Sequence, residues 1–131
     1  MSPNPDSVSP SSEPYLSFRR HGEIAVVGVA AAIEDLPSSA IETAAQVVLA
    51  PLKENPPSNV IVDLAKVQFF TSEFISFLLR CHVIVKKHHG ELVLAGVSAR
   101  VRELLRQTAL DTLWAIYDNR QQALDALGGA D

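Results

Sequence analysis

Two short stretches constrain this chain most: NVIVDLA at residues 59–65 and ELVLAGV at residues 91–97. A strand that alternates apolar and polar residues can leave one face in water, but one that is apolar at successive positions must be covered on both faces. The first run is also rich in β-branched side chains. Both are short enough to predict buried strands, with helices packed on the sheet they form.

The intervening segments fit that demand. YLSFRRHGEIAVVGVA, residues 15–30, clusters apolar residues on either side of His21-Gly22 and predicts two antiparallel strands joined by a short turn. The next segment places Ile41, Ala44, Val47, Val48 and Leu52 close to a 3.6-residue period. Ser38 or Ser39 is the predicted cap, Pro51 is expected to end or kink the helix, and Pro56-Pro57 to terminate it. A further helix is expected over residues 72–88, stopped by Gly90. Ser98 caps another, whose apolar stripe is Val101, Leu104, Leu105 and Thr108. LWAIY (113–117) reads as a last short strand, and NRQQALDALGG (119–129) as a closing helix ended by glycine. The order β-β-α-β-α-β-α-β-α predicts an α/β domain: a mixed, mostly parallel sheet of about five strands with an antiparallel N-terminal edge hairpin, flanked by about four helices.

Residues 1–14, MSPNPDSVSPSSEP, hold four of the eight prolines and little to bury, so a disordered tail is expected there. The domain is assigned to residues 15–128, and 129–131 form its C-terminal end. Cys81 is the only cysteine; no intramolecular disulfide can form, and a reducing compartment is expected. With no signal-peptide pattern and no apolar run approaching a membrane span, the sequence predicts a cytoplasmic protein that is not inserted in membrane.

Several chemistries lack their signatures. A formal net charge of −4 opposes nucleic-acid binding, and Arg100, Arg102 and Arg106 read as the wet side of a helix. The phosphate-cradling loops GxxxxGK[ST] and GxGxxG are missing, as is the GxSxG nucleophile elbow. His82, His88 and His89 stand in adjacent pairs, Cys81-His82 and His88-His89, whose members point in different directions on a helix. No enzyme activity, metal, cofactor or small-molecule ligand is expected.

The feature left over is a polar island, Thr71-Ser72-Glu73, inside VQFFTSEFISFLLRC (67–81). Helix capping accounts for its residue types: a Thr or Ser at the N-cap satisfies an orphan amide, and a carboxylate suits the first turn. At helical spacing Phe74, Phe77, Leu78, Cys81 and Val85 form one apolar stripe, and Glu73, Ser76 and Arg80 lie opposite, with Val83 or Ile84. Phe74 and Ile75 leave the helix start more apolar than a solvated cap requires. Glu73, Phe74, Ser76 and Arg80, beside Ser72, are therefore the candidate partner-binding residues.

The whole succession from residue 59 to 127 resembles the STAS domain, the fold of bacterial anti-sigma factor antagonists. That family shows a strand ending in DLS, then V-x-F-x-D-S-S-G, a helix, a strand LVLxGV and a helix VRxLLxxTxLDxL. Asp63-Leu64, Val67, Phe69, Ser72, Leu92 to Leu94, Gly96-Val97, Val101, Leu104-Leu105, Thr108, Leu110, Asp111 and Leu113 fall into step with it. The resemblance implies a switching module that binds an anti-sigma factor of the serine-kinase type and is released when a hydroxyl at the start of the second helix is phosphorylated. In this chain Thr71 falls on the family aspartate, Ser72 on the first serine, Glu73 on the usual phosphoacceptor and Phe74 on the glycine. A carboxylate replaces the accepting hydroxyl, which leaves Ser72 and Thr71 as candidate relocated acceptors. Glu34 or Asp35 stands in for the acid that many members carry after the second strand. The alternative on the same fold is a STAS adaptor that is never phosphorylated, bound to a transporter ATPase or a signalling assembly.

Overall fold

The structure is a computed structural model, and residues 15–69 and 71–128 are described. The predicted tail at 1–14 and the end at 129–131 lie outside the described residues, as does Phe70.

Among the described residues, five strands form one sheet in the order of the chain. These are β1 (Leu16–His21), β2 (Ile24–Val29), β3 (Asn59–Asp63), β4 (Glu91–Ala95) and β5 (Ile116–Tyr117). The helices are α1 (Ser38–Glu54), α2 (Ser72–Lys87), α3 (Ala99–Gln107) and α4 (Arg120–Ala126). β1 pairs antiparallel with β2, from Leu16 opposite Val29 to His21 opposite Ile24, and the turn between them opens on Gly22 at φ +66°. All later pairings are parallel: Val26 faces Ile61, Ile61 faces Val93, and Leu94 faces Ile116.

Sequential strand order determines where the helices go. Each right-handed crossover that moves one strand further in the same direction lands on the same face. Accordingly α1, α2 and α3 share one face, packed on Ala25, Val27, Val60, Val62, Leu92 and Leu94. The alternate residues Ile24, Val26, Ile61, Val93 and Ala95 point the other way, where α4 covers them through Ala123, Leu124 and Leu127. The two continuous apolar runs are thus buried on both sides, as their composition requires.

The helix stripes match at α2, where the buried residues are Phe74, Phe77, Leu78, Cys81 and Val85. Ser98 caps α3, accepting the Val101 amide at 3.1 Å. Four expectations are corrected. Neither Ser38 nor Ser39 caps α1, because Pro37 occupies the N-cap, extended at φ −61°, ψ 147°, and Ser38 already lies in the helix. Pro51 does not end α1, which runs on to Glu54. Leu52 is fully buried beyond it, and the Pro51 carbonyl accepts the Asn55 amide at 3.0 Å. The expected strand at 113–117 shrinks to Ile116–Tyr117, since residues 110–112 form a 3-10 turn and Trp114 enters the core under α2. In the α3 stripe Val101 and Leu105 are buried, Leu104 is half-buried and Thr108 is exposed at the C-cap, its hydroxyl bonded to the Leu104 carbonyl at 3.0 Å.

Among the described residues, no helix is long and apolar enough to cross a membrane. Cys81 is fully buried, and burial pushes its thiol up to about 12. The thiolate is the nucleophile that attacks a disulfide reagent and expels its aromatic thiol, so native protein at neutral pH is expected to react with an aromatic disulfide only after global unfolding. Following thiol release with and without denaturant checks this; fast reaction of the native protein would show that the α2 face opens locally.

Candidate functional site at the start of α2

The polar island sits where the connection from β3 turns into α2, and that connection is held at several points. Leu64 and Val67 are buried, with the Val67 amide bonded to the Leu64 carbonyl at 3.0 Å. Asp63 Oδ1 accepts the Ala65 amide at 3.0 Å, while Oδ2 takes the Arg120 guanidinium of α4 at 3.0 Å. Glu34, in the 3-10 turn after β2, accepts the Gln68 amide at 2.6 Å. Of the two acids singled out there, Glu34 is the one that reaches this loop.

Thr71 is the N-cap of α2: its Oγ1 accepts the Phe74 amide at 3.3 Å, and its carbonyl accepts the Ile75 amide at 3.1 Å. Ser72 follows as the first helical residue, exposed, with its hydroxyl 3.5 Å from Glu73 Oε1. Glu73 is also exposed. Its carboxyl is held below the ordinary carboxylate value, first by a hydrogen bond from its own backbone amide; desolvation opposes this, and the Ser38, Thr71 and Ser72 hydroxyls each add a smaller lowering. The helix N-terminus favours the same ionised form. At neutral pH Glu73 therefore carries a full negative charge at the mouth of α2.

Two turns along, Arg80 forks onto Glu42 of α1, Nη1 to Oε1 at 2.6 Å and Nη2 to Oε2 at 3.3 Å. The pair is solvent-exposed on both sides, so it orients the two side chains more than it stabilises the fold. The result is a shallow groove between α1 and α2, lined by Ser38, Glu42, Glu73, Ser76 and Arg80, with Ile41, Ala45 and Phe77 below. Ser72 flanks its upper end.

The structure thus gathers Ser72, Glu73, Ser76 and Arg80 on one surface and separates Phe74 from them. Phe74 is 1% exposed and packs against Phe77 with ring centroids 5.5 Å apart. As a direct partner contact it is corrected: at the first turn of α2 its Cβ points to the sheet, and it shapes the site from beneath. Sequence reasoning missed Ser38 and Glu42. The pairing of Glu42 with Arg80 joins residues 38 apart in sequence, and only the α1–α2 packing brings them together.

Among the described residues, no group of three histidine, cysteine or acidic side chains is placed to hold a metal ion. His88 and His89 close α2, with His89 at φ +66°, and His82 accepts a hydrogen bond from Trp114.

Fold and site together define an α/β module with an exposed, charged helix start set between two helices. The chain belongs to the STAS domain family, whose model matches residues 13–123. Among solved structures it is similar to an anti-sigma-factor antagonist (STAS) domain protein from Planctomyces limnophilus, at 30% identity over 85% of this chain and 95% of that one, with a TM-score of 0.74. It shares its fold with the phosphorylated form of the Bacillus cell fate determinant SpoIIAA, at 14% identity over 86% and 98% of the two chains and a TM-score of 0.68. A serine-to-glutamate variant of RsbS from Moorella thermoacetica is likewise similar, at 18% identity over 86% and 94% and a TM-score of 0.71. No curated protein matches the sequence.

Proposed function

We propose that this chain is an anti-sigma factor antagonist-like regulatory module that acts in the cytoplasm and binds an anti-sigma factor of the serine-kinase type through the α1–α2 groove. Glu73 supplies there a fixed single negative charge in place of a phosphorylatable hydroxyl. The observation that carries this reading is the exposed, ionised Glu73 at the N-terminus of α2, where the family pattern sets its acceptor. A phosphate brings about −1.5 to −2 charges and three strong acceptor oxygens. A carboxylate brings less of both, so the chain sits permanently between the two states of a switchable antagonist.

Of the two hydroxyls considered as relocated acceptors, Ser72 is the better placed. It is exposed, whereas the Thr71 hydroxyl is half-buried and occupied as the helix cap. A second reading, an adaptor in a larger assembly that is never modified, draws on the same permanent charge.

The test is binding of the purified chain to serine-kinase anti-sigma factors of its host, by calorimetry, with phosphate mapped across residues 67–80 afterwards. Glu73→Ser is expected to change affinity for the cognate kinase at least several-fold with the melting temperature almost unmoved. Equal affinity of the two proteins would remove Glu73 from the interface, and no binding to any such kinase would leave the adaptor reading.

A further inference from the structure

We propose that His82 and Trp114 form an acid-released latch between α2 and the segment that leads into β5. The indole Nε1–H of Trp114 donates to His82 Nδ1 at 3.1 Å, and the rings meet edge-on with centroids 6.0 Å apart. Trp114 is 3% exposed and is the only tryptophan, while His82 is half-buried on α2. The hydrogen bond determines the state of the imidazole. To accept at Nδ1, the ring must be neutral with its proton on Nε2. Protonation converts Nδ1 into a donor facing another donor, and the buried indole N–H then has no acceptor there.

The surroundings keep the latch closed at neutral pH. Burial first, and the Lys86 ammonium one turn along α2 second, push His82 below the ordinary imidazole value, against a weaker opposite pull from Glu91 at the start of β4. Lys86 and Glu91 are themselves paired at 3.0 Å. Trp114 also borders an open cleft lined by Arg102, Glu103 and Arg106 of α3 and by Asp111, charges of both signs.

The segment secured in this way pairs with the sheet over a short length, while Leu110 and Ile116 pack against the core. β5 is two residues long and meets β4 at Leu94 opposite Ile116 and Ala95 opposite Tyr117. Its ladder includes the Leu94 amide on the Ala115 carbonyl at 2.9 Å and the Gly96 amide on the Tyr117 carbonyl at 3.0 Å. The thermodynamic sign follows from a folded-state pKa below the unfolded one. The latch contributes fully above the ordinary imidazole value, and its contribution is lost as pH falls through the lower folded value. Acid therefore loosens residues 110–117 and leaves the start of α2 in place.

The single tryptophan makes this directly measurable in the full chain. Indole fluorescence and the lone indole N–H resonance, followed from about pH 8 to about pH 5, are expected to change together with a midpoint below 6.5. Exchange of the indole proton with solvent should accelerate across the same range. In His82→Asn the amide oxygen takes the place of Nδ1 as an acceptor that does not titrate, so both curves should become flat. A flat wild-type curve, or a transition that survives in His82→Asn, overturns the proposal. If the variant does not fold, the nitrogen shifts of His82 in the wild type decide: an unprotonated Nδ1 at neutral pH that gains a proton with the indole transition supports the latch, and a proton on Nδ1 at neutral pH overturns it.

Discussion

Gly90→Ala is expected to lower unfolding stability by about 3 kcal/mol, the upper end of the usual cost of overpacking a well-filled site. Gly90 is buried between the end of α2 and the start of β4. A Cβ there would stand 2.1 Å from the Ser58 carbonyl oxygen and 3.0 Å from Val85 Cγ1. Neither neighbour can retreat cheaply. The Ser58 amide is bonded to the Glu23 carbonyl at 2.8 Å, and the next residue, Asn59, receives the Glu91 amide on its side chain at 3.0 Å. Val85 lies in the core and its carbonyl accepts the Gly90 amide at 2.9 Å. The added methyl must therefore displace backbone, separating the register of β3 and β4 from the end of α2. Gly28→Ala is the matched control. Its Cβ would meet Ser17 Oγ at 2.6 Å, the tip of a side chain that can rotate away, so a much smaller loss is expected. Denaturant titration of both variants checks the pair. Equal midpoints for Gly90→Ala and wild type would mean that the connection before β3 yields, contrary to its hydrogen bonding.

The same geometry shows why some of this molecule is readable in its sequence and some is not. The buried strands were legible because a continuous apolar run has few folded solutions, and the two-faced burial of β3 and β4 follows from it. The stripe of α2 and the Ser98 cap were legible because both are local: spacing determines one, and a hydroxyl three residues before its amide determines the other. At Pro51 and Trp114 tertiary packing outweighs local preference: Leu52 is buried beyond the proline in a helix that runs on to Glu54, and Trp114 leaves the strand pattern to fill the space beside His82. The site divides in the same way. Thr71, Ser72 and Glu73 announce themselves as a polar interruption. Glu34 is one of the two acids that the family resemblance singles out, though its contact with the Gln68 amide is not local, whereas Ser38 and Glu42 belong to α1 and join the site only through the α1–α2 packing.

Phe74 tests that division most sharply. Phe74→Ala is expected to cost about 4 kcal/mol, because it removes a fully buried ring and leaves a cavity that the surrounding sheet and helices only partly close. The ring is 1% exposed, lies 5.5 Å from that of Phe77, and belongs to the cluster that joins α1, α2 and the sheet. Its amide is also the one that Thr71 caps, so loss of the ring loosens the helix turn that holds Glu73. Glu73→Ser, one residue away on the wet side of the same turn, removes no buried surface and is expected to leave the unfolding midpoint nearly unchanged. Melting curves and partner affinity measured for both variants separate the two roles. Phe74→Ala should lose stability in large measure, and lose binding only to the extent that the helix start frays; Phe74→Leu, which refills much of the cavity, should recover most of both. Glu73→Ser should alter binding alone. If Phe74→Ala instead kept its melting temperature and lost its partner, the ring would have to leave the core to make the contact, and α2 would begin differently in the complex than it does in the free chain.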